Sequence, residues 1–297
     1  RLLNQLTFNE QYNYESLDFY PSAYITRKFG DGNQFQASYS RRINRPRDYY
    51  LNPYTFSSDG FSAFVGNPNL EPDFANSYEL NYQKRYNQSF LSVETYYRQV
   101  NNKMTRTLKL NDDGIMERTM DNLDRDYSIG IEFMGNLKLT KWWTLIPSVD
   151  FYKYHLEGAG ERADIVKDNN NWNFMLNSQF SLNTGTRIDL SSFYRSPSIS
   201  VDGTRDKMFF VGIGARQDFL KRKLTVTLRV QDVFDSRRMN FTSSGENFYS
   251  KYKFRMKAPI FTISLSYKLN NYRPERRERG GGYDGGDGGD GGMDMMM

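Results

Sequence analysis

The chain has 297 residues, of which 38% are hydrophobic and 25% are charged, and its formal net charge is +5. No apolar run approaches the ~20 residues of a membrane-spanning helix, so a helical membrane protein is excluded. The scattered Lys and Arg residues form no basic stripe that would indicate nucleic-acid binding. The chain contains no cysteine, which excludes disulfides and thiolate metal sites. It begins at Arg1 without a signal peptide, so we expect a mature or partial chain of an exported protein.

Alternation of apolar and polar residues predicts β-strands along most of the chain. For example, Ile129, Ile131 and Phe133 alternate with Gly130 and Glu132, and a strand sends such residues to opposite faces. The pattern predicts about twelve strands, at residues 4–14, 18–29, 33–44, 74–86, 88–109, 115–139, 142–156, 170–183, 186–195, 207–219, 223–235 and 258–270. The fifth and sixth strands are predicted to form one very long hairpin that turns at residues 111–114.

The connections between these strands alternate in length. Tight turns are predicted at residues 30–32, 86–88, 140–142, 183–186 and 220–223, and long polar loops at about 45–74, 157–170, 195–206 and 236–257. Membrane barrels sort their connections in this way, with short periplasmic turns and long outer loops, whereas a soluble sandwich has no reason to do so. Most predicted strands have about 11–14 residues, enough for the ~9–11 with which a tilted strand crosses a bilayer.

The sequence therefore predicts an all-β fold, an antiparallel transmembrane outer-membrane β-barrel over residues 1–271. An even number of strands would place both ends in the periplasm of a Gram-negative cell. Aromatic residues near predicted strand ends are typical of membrane girdles, although ordinary strand propensity also explains them. These aromatics are Tyr20, Tyr86, Trp142, Trp143, Trp172, Phe219 and Tyr267.

The sequence gives little support for a catalytic function, so we predict that the protein is not an enzyme and has no cofactor and no metal site. His155 is the only histidine, and it falls where a predicted strand meets an outer loop. A Ser/His/Asp set would have to use it, and no nucleophile-elbow motif is present. Glu94 and other carboxylates on polar strand faces more often solvate a channel or pair with Arg than catalyse proton transfer.

Six charged residues are low-specificity candidates for a ligand path, because they fall on the predicted polar, lumen-facing sides of strands. They are Arg42, Glu79, Arg98, Glu132, Asp150 and Arg229. In a transporter such residues line a path or pair with a plug domain. The alternative, which we favour, is a solvated polar wall.

Residues 39–72 carry a more specific pattern, and further matches follow it along the chain. SRRINRP (40–46), LNP (51–53), GNPNLEPD (66–73) and SYELNY (77–82) follow one another, and SVETYYRQVNNKM (92–104), DYSIGIEF (126–133) and VQDVFDSRR (230–238) come later. This series resembles the C-terminal part of the barrel of TonB-dependent receptor-like outer-membrane proteins. The resemblance covers residues of about 18–270 of this chain. Asp73 departs from the Glu that this family usually has after the last proline.

The resemblance implies a barrel of about 22 strands with a plugged lumen, of which twelve strands would be roughly half. It also implies uptake of a ligand too large for porins, with a TonB-type energy transducer and a plug domain as partners. A non-transporting structural or docking subunit of an outer-membrane complex and a stand-alone porin of twelve strands remain alternatives. The expected partners are then outer-membrane lipid, the rest of the barrel, a surface lipoprotein or other subunits of the complex. Nucleic acid is not an expected partner.

The motif residues have a structural interpretation as well. The prolines fix φ and remove backbone donors, so the favoured interpretation is that the motif shapes a long loop and contacts no ligand. The motif residues in this loop are Arg45, Pro46, Asn52, Pro53, Gly66, Asn67, Pro68, Asn69, Leu70 and Pro72.

Residues 272–297 form a separate segment, Arg-rich at first and then rich in Gly, Asp and Met. Its glycines predict a flexible periplasmic extension. It is expected to bind a protein partner or the lumen, and its last methionines suit a soft metal or an apolar groove. The nonapeptide register of calcium-binding repeats is absent.

Overall fold

The chain is built almost entirely from β-strands. The computed structural model describes residues 2–5, 10–13, 17–57, 59–182, 185–245 and 247–269. The strands are β1 (Leu2–Gln5), β2 (Glu10–Asn13), β3 (Ser22–Phe29), β4 (Asn33–Asn44), β5 (Thr55–Ser57), β6 (Ser62–Val65), β7 (Asp73–Tyr86), β8 (Ser89–Asn101), β9 (Met104–Leu110), β10 (Met116–Asn122), β11 (Arg125–Lys138), β12 (Trp143–Glu157), β13 (Val166–Ser181), β14 (Thr186–Arg195), β15 (Ser198–Ile199), β16 (Gly203–Arg205), β17 (Met208–Phe219), β18 (Leu224–Gln231), β19 (Arg238–Gly245), β20 (Phe248–Arg255) and β21 (Ile260–Tyr267). Helical turns form at α1 (Asp48–Leu51) and at Gly160–Arg162, and no helix in the described residues is long and apolar enough to cross a membrane.

One large antiparallel sheet organises the molecule. Its eleven strands have the order β3-β4-β7-β8-β11-β12-β13-β14-β17-β18-β21. Within this sheet, strands that are consecutive along the chain are also neighbours in space. Antiparallel pairing allows this, because a short turn can join two such strands. Strands β3 and β21 form the two edges, and among the described residues neither has a second strand partner.

The prediction of a first strand at residues 4–14 was wrong. The described residues of this region form two short strands, β1 and β2, which pair with each other instead of joining the large sheet. Alternation along the chain cannot distinguish one strand of this length from two short strands that fold back on each other. In the described ranges, the large sheet consequently has eleven strands rather than twelve.

The prediction that both ends lie on the same side was also wrong for this sheet. With an odd number of strands, β3 begins at the end of the long loops and β21 finishes at the end of the short turns. The backbone N–H of Lys268 donates to the carbonyl oxygen of Lys223 at 2.8 Å, which places the end of β21 beside the turn between β17 and β18.

The two faces of the sheet have opposite character. Directly opposed residues of antiparallel strands share a face, and Glu132 is opposite Glu94 on β8 and Asp150 on β12. The other face is apolar and uncovered by the described chain: Ile129 is 53% exposed and Phe133 is 43% exposed. In the part of the chain that the structure describes, no second sheet packs on this face.

The very long hairpin predicted at residues 88–139 is divided into two parts. Strands β8 and β11 belong to the large sheet, whereas β9 and β10 belong to a separate four-stranded sheet with β5 and β6. Asn102 adopts a positive φ of 56° at the division, and its N–H donates to the carbonyl oxygen of Asp124 at 2.7 Å. The two arms of the hairpin stay paired on both sides of this bend, as β8 with β11 and as β9 with β10. The alternation of residues therefore shows no obvious break at the bend.

Strands also form where the sequence predicted long polar loops. Strands β15, β16, β19 and β20 make a second four-stranded sheet within the regions 195–206 and 236–257. In β20, Phe248, Tyr252 and Phe254 alternate with Lys251, Lys253 and Arg255, so the period-two pattern of a strand also runs through part of this region. The connections at the long-loop end, residues 45–72, 102–124, 158–165, 196–207 and 232–259, are called the outer loop layer below.

The outer loop layer has a small hydrophobic core of its own. Leu123, Leu156 and Val201 are at most 3% exposed and pack together, with Ile165 and Ile199 against them. These residues come from three different connections and from the end of β12. The outer loops therefore pack against one another instead of extending separately into solvent.

Candidate functional site

The polar face of the large sheet carries a connected set of charged and hydroxyl side chains. Glu79 on β7 accepts hydrogen bonds from Ser38 at 3.2 Å and from Ser77 at 2.9 Å. Arg98 on β8 approaches Glu79 at 3.3 Å and Glu94 at 3.5 Å. The cluster thus joins three neighbouring strands through side chains that the register places on one face.

The network continues across β11, β12 and β13. Ser148 donates to Glu132 at 3.2 Å, and Asn173 donates to Asp150 at 3.2 Å. Every carboxylate in this part of the face therefore has a hydrogen-bond donor, as a polar group needs when it is partly removed from water.

Tyr96 lies at the centre of this network and was not among the site residues predicted from the sequence. Its hydroxyl donates to Asp150 at 2.8 Å, the Arg98 guanidinium lies 4.1 Å from its ring centroid, and the residue is only 5% exposed. The ring lies over Gly130, where an added Cβ would come within 2.7 Å of Tyr96 Cζ. A glycine on one strand that is directly opposite a tyrosine on the next strand could have indicated this packing. The sequence does not show which residues are opposite each other, so Gly130 and Tyr96 could not be matched in advance.

The structure brings together four of the six charged candidates, namely Glu79, Arg98, Glu132 and Asp150. The remaining two, Arg42 and Arg229, lie on the same face but apart from this network. Arg42 is opposite Ala75 on β7, and Arg229 is opposite Gly214 on β17.

A hollow of about 530 Å³ surrounds Arg229 on the polar face. Gly212 and Gly214 line it and contribute no side chain, which leaves room between the strands. Gln179, Asp189 and Arg216 also line the hollow, so its wall offers both donors and acceptors to a polar ligand or segment.

The motif residues of the loop at 45–72 hold that loop in shape. Gly66 permits close approach to Asn52, because an added Cβ would lie 2.1 Å from the Asn52 carbonyl oxygen. The Asn67 carboxamide accepts from the Asn69 N–H at 3.0 Å and donates to the Met120 carbonyl oxygen at 3.2 Å. The loop is thereby attached to the hairpin of β9 and β10.

The other motif residues surround these contacts. Pro46, Leu70 and Pro72 are buried, Pro53 and Pro68 are partly buried, and Arg45 is exposed. Arg45 donates to the Tyr20 hydroxyl at 3.3 Å, and the Pro72 carbonyl oxygen accepts from Asn102 at 3.0 Å. The described contacts of these residues lie within the chain's own loops.

Aromatic side chains form two bands on the apolar face. Near the outer loops, Tyr39, Tyr78, Tyr97 and Tyr127 lie side by side with ring centroids 4.8, 6.2 and 5.8 Å apart. Near the short turns, Trp142, Trp143 and Phe180 stack at 5.8–6.2 Å.

The separation of the two bands fits a bilayer. Trp143 lies in the lower band, and His155 stacks on Tyr127 of the upper band at 4.7 Å. These residues are twelve positions apart on β12, which corresponds to about 40 Å along a strand. At the usual tilt of a barrel strand this is roughly 30 Å across the membrane. His155 also contacts Asp168 and Glu157, each at 3.0 Å, so the polar groups begin where the apolar band ends.

Solved structures with a similar fold include several bacterial receptors. The siderophore receptor PirA from Pseudomonas aeruginosa has a TM-score of 0.57 at 17% identity, over 74% of this chain and 39% of the receptor. The ferric enterobactin receptor PfeA of the same organism has a TM-score of 0.54 at 14% identity, over 74% of this chain and 35% of the receptor. The ferric-catecholate import receptor Fiu from E. coli has a TM-score of 0.53 at 15% identity, over 82% of this chain and 34% of the receptor.

The chain thus spans between a third and two fifths of the length of these receptors. A search of curated proteins found no match. The model of the outer membrane protein beta-barrel family matches residues 2–267, which confirms the all-β membrane fold and the resemblance that the motifs indicated. The two aromatic bands, the uncovered apolar face and this match together assign the chain to the outer membrane protein beta-barrel family.

Proposed function

We propose that this chain is part of a TonB-dependent receptor-like transporter, which takes up a ligand too large for porins across the outer membrane. The observation that carries the proposal is the hydrogen-bonded polar face around Glu79, Arg98 and Asp150. It lies opposite a lipid-facing surface and below a packed layer of outer loops. Such a face suits a lumen that holds protein or a polar ligand, since its donors and acceptors are already oriented by one another.

The edges of the sheet support a larger barrel. Strands β3 and β21 each present unpaired backbone groups in the described structure, and such groups cannot remain exposed in the hydrocarbon region of a membrane. We infer that further strands close the barrel, to a total of about 22 as in large transporters. The same open edges make a stand-alone porin the weaker candidate.

In this proposal the short turns and the end of β21 face the periplasm, and the outer loop layer faces the medium. The plug domain and a TonB-type energy transducer would be partners on the periplasmic side. The structural neighbours are described as a siderophore receptor, a ferric enterobactin receptor and a ferric-catecholate import receptor, so ferric siderophores are the first ligands to test. The six charged lumen candidates would then pair with the plug or line the ligand path.

Uptake measurements test this function. A strain lacking the gene, the complemented strain, and the complemented strain without its energy transducer would be compared for uptake of labelled ferric siderophores. The proposal expects uptake that needs both the protein and the transducer. Ligand-independent conductance in a planar bilayer would favour a porin and contradict the proposal.

A docking subunit remains the second candidate because of one surface. Tyr54, Phe56 and Phe61 in the outer loop layer are 69%, 59% and 81% exposed, and the turn beside them is held by Asp59, which accepts from the Ser62 N–H at 2.8 Å. Exposed aromatics on an ordered loop are typical of protein contact sites. Co-purification with a surface lipoprotein or another fixed subunit, with no uptake defect in the deletion strain, would support this candidate.

A further inference from the structure

A cationic hollow lies on the polar face at the short-turn end of the large sheet. It encloses about 470 Å³, and its charged lining residues are Arg187, Arg216, Asp218, Arg222 and Lys268. Arg187 and Arg216 are directly opposed on β14 and β17, where like charges on the same face repel each other.

The hollow has too little negative charge of its own. Among the described residues that line it, Asp218 is the one carboxylate, and it is already engaged: Arg216 lies 3.3 Å away, and Thr225 donates to it at 2.7 Å. Four cationic side chains therefore surround one carboxylate. An anionic partner would relieve the repulsion and would be held by charge-assisted hydrogen bonds.

The chain itself supplies an anionic segment close to this place. Asp284, Asp287, Asp290 and Asp294 are separated mainly by glycines, in the sequence DGGDGGDGGMD. These residues lie outside the described part of the chain. Lys268, which lines the hollow, precedes Asp284 by only sixteen residues, so the covalent chain keeps Asp284 within about 53–58 Å of Lys268 in any conformation.

Charge and composition distinguish this segment from the linker before it. Residues 273–279 contain four arginines and two glutamates, so the hollow repels this part and attracts the aspartates that follow. Glycines let the aspartate segment lie extended against the sheet without steric hindrance. Tethering raises its local concentration to the millimolar range, at which weak ion pairs become sufficient for binding.

We propose that the aspartate segment at residues 284–294 docks in the cationic hollow of the same chain and occupies the lumen at its short-turn end. The inference goes beyond the proposed uptake function and does not depend on it, because it concerns binding between two parts of one chain.

Disulfide cross-linking in the full protein tests the docking. The chain has no cysteine, so Ser266→Cys with Gly291→Cys introduces the only two thiols. Ser266 is directly opposed to Thr225, which lines the hollow. Outer membranes from cells that express this variant would be oxidised mildly, and mass spectrometry would give the ratio of linked to free peptides.

The expected result is efficient linking within one chain that depends on charge. The combined substitution Asp284→Asn, Asp287→Asn, Asp290→Asn and Asp294→Asn should reduce linking by roughly threefold or more, as should about 0.5 M salt, because both weaken the ion pairs. Glu275→Gln with Glu278→Gln is the matched control in the tail and should leave linking unchanged.

A second pair of variants tests the hollow itself. Arg222→Gln should reduce linking, whereas Lys221→Gln, in the same turn but not in the lining of the hollow, should not. Linking that is insensitive to the aspartates and to Arg222 would overturn the proposal. Linking found only between two chains would also overturn it, and would indicate that the hollow takes an acidic segment from another molecule.

Discussion

The large sheet and the outer loop layer belong to one chain but bury their apolar side chains in different ways. In the sheet, Phe133 and Leu228 remain 43% and 48% exposed, because the surrounding lipid and not the protein covers them. In the outer loop layer, Leu123, Leu156 and Val201 are at most 3% exposed. The sheet therefore depends on the membrane for its hydrophobic stabilisation, whereas the layer has a core like that of a soluble domain.

Polar groups follow the same division. Carboxylates of the sheet, such as Glu79 and Asp150, accept hydrogen bonds from side chains of other strands on the same face. In the outer loop layer, polar side chains instead bind backbone groups: Asp202 accepts from the Leu108 N–H at 2.8 Å, and Asn122 donates to the Glu71 carbonyl oxygen at 3.0 Å. Backbone groups that do not face a paired strand need such partners, because a buried N–H or carbonyl group must be hydrogen-bonded.

Truncation of a side chain in the core of the outer loop layer should produce the largest difference in stability between the layer and the sheet. Leu156→Ala is expected to destabilise the layer by about 2–5 kcal/mol through lost contacts and the cavity that remains. Hydrogen exchange should rise in the outer loops and stay unchanged in the strands near the short turns. Leu17→Ala makes the same chemical change at a side chain that is 89% exposed and should have no measurable effect. Equal protection of the loops in both variants would contradict a core in this layer.

A charge on the lipid face should come next in size. Ile131, which is directly opposed to Thr95 and Phe151, faces the apolar side near the middle of β11. Ile131→Lys should cost about 2–4 kcal/mol in the membrane and impair assembly, as measured by the folded fraction in outer membranes. Asn136→Lys lies on the polar face of the same strand and should be tolerated. Equal assembly of the two variants would refute the assignment of faces.

Added volume at a motif glycine should have a smaller effect. Gly66→Ala places a Cβ against the Asn52 carbonyl oxygen, and overpacking of this kind costs about 1–3 kcal/mol. Protease cleavage within residues 45–72 should become faster. Gly214→Ala on the sheet has no protein atom closer than 3.8 Å to the new Cβ and should leave cleavage unchanged. If the Gly66 variant were as resistant as the wild type, the motif would not shape this loop through close packing.

The pH dependence of the outer loop layer should show the smallest effect. Burial raises the pKa of the Asp202 carboxyl above its usual value of 3.8, although the Leu108 N–H and the Arg162 and Lys167 cations act in the opposite direction. A raised native pKa means that the folded layer binds the proton more tightly than the unfolded chain. The contribution of Asp202 is therefore fully present below about pH 3.8 and is lost as the pH rises through the native pKa.

Asp202→Asn tests this sign, since the amide oxygen can still accept from Leu108 but does not titrate. The difference in urea midpoint between variant and wild type should change between about pH 3 and about pH 7, in favour of the variant at the higher pH. Asp124→Asn, in the same layer, provides a comparison for general charge effects. A difference of the opposite sign would show that the contact with Arg162 outweighs burial.

The alternation of residues within strands was sufficient to predict most of the large sheet. Tyr127 to Lys138 reads correctly as a strand with one apolar and one polar face, because side-chain direction in a strand depends only on position along the chain. Turn residues likewise marked the short connections, where local backbone geometry decides the structure. Four of the charged candidates proved to be neighbours because parity on adjacent strands puts them on one face.

Contacts distant in sequence could not be predicted in this way. The position of Tyr96 over Gly130, the parallel pairing of β6 with β10 and the approach of Leu108 to Asp202 all join segments that are far apart or cross between loops. The wrong prediction for residues 4–14 has the same origin, because the alternation of residues within a strand does not show which strand it pairs with.

The sequence alone thus determined which residues form strands, which of their faces is apolar and the family whose motifs they carry, because these depend on local periodicity and composition. Only the tertiary structure decided that the described residues form a sheet of eleven strands whose two edge strands have no second partner there. It also decided that the outer loops share a core, and that Arg187, Arg216, Arg222 and Lys268 meet in one hollow. The physical reason is that register and loop packing depend on the free energy of contacts between distant segments, which no single stretch of sequence contains.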